Sequence, residues 1–197
     1  MELPIFPLNG AVLFPGTNLP LNIFEERYIQ MVDYSLSKER YIGMIQTNQN
    51  QELYNIGCIG KINSFSETND GRYLISLEGI DCFKVNKEVY KNFKFRLVDA
   101  KLIKNYHDDE KLSEEKKVKL LKKYEDYTKI KKINISLEEI KKIDISQIVK
   151  FIAMISPFRD EDKQVLLETS NLNEFYNKLL SIIEIELVGD LTNKTIN

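Results

Sequence analysis

The sequence predicts an α+β protein: a small β-barrel lobe with one packed helix, followed by a C-terminal helical lobe. Three observations predict it. Between Tyr41 and Ile103, short apolar runs alternate with turn residues, as strands do. Ahead of them, Phe24 to Leu36 is a single run with apolar residues at three- and four-residue steps, the spacing of an amphipathic helix. Beyond the polar stretch Lys104–Glu110 the spacing is helical throughout. Several short strands with one early helix favour a barrel over a parallel sheet. The boundaries that follow are a barrel lobe 1–104, a linker 105–112, a helical lobe 113–191 and a frayed tail 192–197.

Leu3 to Leu8 reads as a strand, but it contains Pro4 and Pro7. Proline cannot donate to a β-ladder, so this strand either lies at an edge, starting the sheet, or carries its prolines at non-bonding positions. In Phe14-Pro15-Gly16-Thr17, proline pre-sets φ near −65° and glycine tolerates positive φ, which suits the central positions of a type II turn. The helix from Phe24 to Leu36 places Phe24, Tyr28, Met31, Val32 and Ser35 on one face, with Glu25 and Glu26 complementing the helix dipole in its first turn. Strands follow at Tyr41–Thr47, Gly57–Ser66 and Arg72–Leu77. Asn69-Asp70-Gly71 between the last two is a hairpin signal, because Asp-Gly readily supplies positive φ. Phe93 to Ile103 reads as one long strand with a register change near Val98.

In the helical lobe, Ser113 is placed to cap a Lys/Glu-rich helix through about Tyr127. Ser136 with Glu139, Asp144 with Gln147, and Asn171 with Glu174 are each spaced like a capping box. Ile148, Phe151, Ile152 and Ile155 form a broad apolar face that Pro157 ends, since the residue before a proline is pushed out of helical geometry.

Composition narrows the function classes. At 197 residues the chain can bury about 70% of the surface its unfolded form exposes. A net charge of −2, from charges of both signs, builds in no general attraction to nucleic acid or anionic membrane. The two cysteines, Cys58 and Cys82, fall in apolar strands and are expected as reduced core residues. With no basic and apolar leader and no run long enough to span a bilayer, a cytoplasmic protein is expected.

Chemistry is sparse. His107 stands alone among Asp108, Asp109 and Glu110, a pattern better explained by a solvated linker than by a metal or acid/base site, which needs partners from other segments. The Lys-rich stretch Lys111–Lys132, with Tyr124 and Tyr127 as stacking groups, admits a nucleic-acid reading. Its interleaved Glu114, Glu115, Glu125 and Asp126 favour a solvated helix face. No catalytic, cofactor or metal residue is assigned.

The segment LPIFPLNGAVLFPGTNLPLNIFEERYIQMV, from Leu3 to Val32, resembles the start of the N-terminal, substrate-engaging domain of Lon-type ATP-dependent proteases. The resemblance continues through Gly57–Ile62, Asn69–Tyr73 and Leu77–Val85, then Phe151–Phe158 and the "K-Q-x-x-L-E" element at Lys163, Gln164, Leu167 and Glu168, so it covers nearly the whole chain. It implies a PUA-like barrel and a non-catalytic module that binds unfolded or damaged polypeptides, or one dedicated protein partner. The Gly-x-x-x-x-Gly-Lys-Ser/Thr phosphate loop of a motor is absent from the sequence, as is the family's Ser-Lys protease module, which implies a stand-alone member and no enzyme activity. Candidate peptide contacts are Phe14, Pro15, Phe24, Tyr28 and Arg72. Arg27 and Arg72 match the family's "I-F-E-x-R-Y" and "D-G-R" elements, as a buried or interfacial salt bridge or as ligand contacts. Arg159-Asp160 departs from the family's capping serine and proline, so the start of that helix is expected to be rebuilt around Asp160. The alternatives are RNA binding through the barrel face and a small-ligand enzyme in a cleft between the lobes.

Overall fold

The computed structural model describes residues 1–103 and 111–195, with the backbone alone for 190–195. His107 and most of the expected linker 105–112 lie outside the described residues. The chain forms two compact units: one holds the described residues of Met1–Asn105 together with Pro157–Glu168, the other those of Tyr106–Ser156 and Thr169–Asn197. Pro157–Glu168, placed by the sequence within a continuous helical lobe 113–191, therefore groups with the sheet.

The first unit is built on β1 (Glu2–Pro7), β2 (Asn18–Ile23), β3 (Tyr41–Ile45), β4 (Ile56–Glu67), β5 (Tyr73–Val89) and β6 (Arg96–Ile103). The order is β2-β5-β4-β3-β1-β6, and β5 also pairs with β6, which closes five of the strands into a barrel and leaves β2 outside it along the first half of β5. Leu3, Ile5, Ile45, Ile59, Phe83, Val98 and Ala100 fill part of the interior.

β1 does not start the sheet at an edge: it runs parallel to β3 on one side and antiparallel to β6 on the other. Its prolines survive there because the nitrogen of each is turned toward a partner strand just beyond the end of the shared register. The Leu8 N–H bonds to Ile45 O, so the even positions face β3, whose register begins at Ile5; the odd positions face β6, whose register ends at Ile5. Pro4 and Pro7 thus stand at the margins of the two ladders, where a missing N–H interrupts no run of hydrogen bonds.

The turn at Phe14–Thr17 is as the sequence predicts. Gly16 sits at φ 80°, and the Thr17 N–H closes the turn onto Phe14 O at 3.1 Å. The turn is fastened to β5 by Gly16 N–H to Gly79 O and Gly79 N–H to Thr17 O, both at 2.8 Å. β2 follows, a strand not foreseen from the sequence. α1 (Glu26–Leu36) buries Tyr28, Met31, Val32 and Ser35, while Phe24 lies ahead of its N-cap, Glu25. The register change expected near Val98 falls on the partner strand, where β5 gains a residue between Val85 and Lys87. Cys58 and Cys82 are buried, reduced and directly opposite one another across β4 and β5.

α5 (Asp160–Leu167) belongs to this unit, and the K-Q-x-x-L-E element explains why. The buried Lys163 ammonium donates to Gly10 O at 3.0 Å, and burial pushes its pKa down. The Gln164 amide donates to Ile56 O at 3.0 Å and to Glu168 at 2.7 Å, while its oxygen accepts from Gln46 at 3.1 Å. Gln46 also donates to Asp160 O. The helix start uses Arg159 as N-cap with no side-chain cap bond; Asp160, Glu161 and Asp162 supply negative charge to its first turn.

The second unit comprises α2 (Glu114–Lys131), α3 (Leu137–Ile140), α4 (Ile145–Ile155) and α6 (Leu172–Thr195). Ser113 and Asp144 cap α2 and α4, but Ser136 makes no side-chain cap bond at the single turn of α3. At the start of α6, Asn171 accepts from Glu174 N–H at 2.7 Å. Lys178 and the backbone and hydroxyl of Ser170 all donate to the Glu174 carboxylate and hold its pKa down at about 2. α6 runs to Thr195, through most of the tail 192–197 expected to fray, with no proline to stop it. No helix among the described residues is long and apolar enough to cross a membrane.

Candidate functional site

The five residues singled out from the sequence separate into two classes. Phe14 and Pro15 are buried, Phe14 at 1% exposure, because the turn that carries them is hydrogen-bonded onto β5. Tyr28 is also buried, packed on Phe6 with ring centroids 4.2 Å apart and covered by the Arg27 guanidinium at 4.5 Å; burial raises its pKa. Phe24 and Arg72 are exposed, Phe24 at 66%. The β2–β5 register ends at Ile23↔Tyr73, so Phe24 and Arg72 come next in line at the same end of the two strands.

That end is the tip of an arm. β3 pairs with β4 only as far as Tyr41↔Lys61, whereas β4 and β5 continue together to Glu67↔Tyr73 with β2 on the other flank of β5. The hairpin closes through Thr68 N–H to Arg72 O at 2.9 Å, with Gly71 at φ 80° in the left-handed position that a three-residue loop requires. On the arm Phe65 is 42% and Leu74 44% exposed. Phe65 stands edge-on to Tyr73, centroids 4.9 Å apart, and the Tyr73 hydroxyl donates to Asp33 of α1 at 3.1 Å. Burial, followed by this carboxylate, raises the Tyr73 pKa. Arg72 pairs with Asp70 and Arg27 with Glu25, both at the surface, so neither makes the buried ion pair considered from the sequence.

Phe65 and Leu74 are exposed apolar residues of the arm that the sequence did not single out. Phe65 shares a period with Ile59 and Ile62 and reads as core, but Ile62 is buried and Phe65 is not, because the arm outruns the barrel after β3 ends. The Asn69-Asp70-Gly71 turn was the available signal, since a tight hairpin this far from β3 leaves its strands covered on fewer sides.

A second feature is a cleft of about 310 Å³ lined by Pro7, Asn9, Arg27, Tyr28, Thr47 and Arg96, among others. Its cations are matched: Arg27 with Glu25, Lys94 with Glu26, Arg96 with Glu88. It therefore presents no surplus charge for an anion. Among the described residues no three His, Cys, Asp or Glu side chains come together to hold a metal ion. The aromatic groups of the nucleic-acid reading, Tyr124 and Tyr127, are fully buried in the second unit and offer no face for a base.

Comparison with known proteins identifies the family and the fold. The family model described as the ATP-dependent protease La (LON) substrate-binding domain matches residues 2–184. The chain is 27% identical over 198 residues to a Lon protease of Buchnera aphidicola subsp. Baizongia pistaciae, covering 95% of this chain and 25% of that protein. It is 29% identical over 195 residues to a Lon protease of Cytophaga hutchinsonii, covering 92% and 24%. The chain thus spans about a quarter of the length of these relatives. Among solved structures, a Lon N-terminal domain protein from Xanthomonas campestris has the same fold, with a TM-score of 0.68, 22% identity and coverage of 92% of this chain and 98% of that one. The N-terminal domain of a Mycobacterium avium complex Lon protease gives 0.70 at 13% identity, covering 93% and 98%. With the family model matched over residues 2–184 and the fold shared with two Lon N-terminal domains, the chain belongs to the Lon substrate-binding domain family.

Proposed function

We propose that this module recognises unfolded or damaged polypeptides, without catalysis of its own, and that the tip of the β2–β5–β4 arm is the contact surface. The observation that carries the reading is the exposure of Phe24, Phe65 and Leu74 on one arm of a chain whose family is described as substrate-binding. Apolar side chains grouped on an exposed hairpin are the kind of surface that a polypeptide partner covers. Of the residues named from the sequence, Phe24 and Arg72 remain as contacts; Phe14, Pro15 and Tyr28 act by holding the turn and the helix in place.

Fluorescence anisotropy with two labelled ligands at low and moderate salt tests this. A permanently unfolded, carboxymethylated lactalbumin should bind more tightly than single-stranded RNA, with little salt dependence. RNA binding would instead fall steeply with salt, because each neutralised phosphate releases counterions. Tight, salt-sensitive RNA binding without polypeptide binding would sink the proposal; silence with both ligands would favour one dedicated protein partner.

A further inference from the structure

We infer that the polypeptide is taken up as an added β-strand along the free edge of β4, at Asn63–Glu67; the inference rests on the polypeptide-recognition reading above and assigns it a binding mode. Three observations carry it. First, this edge is vacant. The last bond from the β3 side is Ile62 N–H to Arg40 O at 2.9 Å; from Asn63 to Glu67 β4 is exposed, Asn63 is bulged out of the register, and Ser64 to Glu67 pair only with β5. An incoming strand would continue the lane that β3 occupies further along.

Second, the hydrogen-bonding phase can be read residue by residue. Thr68 N–H bonds to Arg72 O, so the pairs Ser66↔Leu74 and Ser64↔Ser76 exchange hydrogen bonds and the pairs Phe65↔Ile75 and Glu67↔Tyr73 do not. The other flank of β5 agrees: Gly79 N–H bonds to Thr17 O, which turns Leu77, Ile75 and Tyr73 toward β2. The N–H and C=O of Phe65 and Glu67 therefore point away from the sheet. These two donors and two acceptors match the backbone of any extended chain, whatever its sequence, while Phe65, backed edge-on by Tyr73 of β5, gives an apolar side chain on that face a place to pack.

Third, the opposite edge of the arm is blunted and this one is not. By the same phase, the outward positions of β2 are Asn18, Pro20 and Asn22, and Pro20 has no N–H to offer in the middle of the row. No proline or lysine interrupts Asn63–Glu67.

The test is amide hydrogen exchange, read by NMR on the whole chain with and without carboxymethylated lactalbumin. The amides of Phe65 and Glu67 should exchange freely in the unbound protein and become protected in the complex; those of Ser64 and Ser66 should be protected in both. Glu67→Pro deletes one outward donor without touching the β5 ladder and should weaken binding about tenfold, while Glu67→Gln, which keeps the donor, should not. Binding that leaves the Phe65 and Glu67 amides unprotected would overturn strand addition and leave polypeptide recognition standing. Absence of any binding would overturn both. Because the exchange experiment uses the unmodified protein, the answer does not depend on how well the proline variant folds.

Discussion

At Gly16 the backbone holds φ 80° while Thr17 N–H and its hydroxyl both donate to Phe14 O, at 3.1 and 2.8 Å. Any residue with a Cβ is strained in that conformation. Gly16→Ala should lower stability by roughly 1 kcal/mol or more, read as a lower urea midpoint with an unchanged slope. An unchanged midpoint would mean that the turn relaxes around a Cβ. Stability is only half of what rests on this position: Gly16 N–H and the neighbouring Thr17 O fasten the start of β2 to Gly79, and β2 ends where Phe24 begins. A looser turn should therefore also blur the placement of Phe24.

At the scale of elements, α5 is held to the barrel unit by side chains rather than by an apolar face alone. Gln164, 2% exposed, satisfies Ile56 O and Gln46 at once. Gln164→Ala would take the donor from the partly buried Ile56 O and leave the Gln46 amide with Asp160 O alone, at a cost of about 1–3 kcal/mol, measurable by chemical denaturation. A loss below about 0.5 kcal/mol would mean that water replaces the amide. The same elements mark how far the sequence could be read. The Phe14–Thr17 turn and the Asn69–Gly71 hairpin were legible because glycine and proline act on the backbone locally. β2 was not, since Pro20 reads as a break and its tolerance depends on an edge position that only the assembled sheet defines. Phe24 fitted the helical period of α1, yet the helix starts two residues later and leaves it outside. The K-Q-x-x-L-E element was visible as a string, but its partners Gly10, Gln46 and Ile56 lie more than a hundred positions away.

For the molecule as a whole, the question is whether recognition stands apart from turnover. ATP hydrolysis by a Lon-type motor needs backbone amides cradling phosphates and a lysine reaching them, supplied by a Gly-x-x-x-x-Gly-Lys-Ser/Thr loop between a strand and a helix. No such spacing occurs in the 197 residues. The chain matches about a quarter of the length of its relatives, in the region that the family model describes as substrate-binding. The 197-residue polypeptide, purified and assayed with magnesium and ATP, should therefore release no phosphate above a mock preparation and leave unfolded lactalbumin uncut, even as it binds it. Turnover that co-purifies with the protein through successive columns and scales with its concentration would overturn this. It would require a nucleotide site built without a phosphate loop, and the cleft at Arg27, Lys94 and Arg96 would be the first place to look, with their carboxylate partners displaced by phosphate.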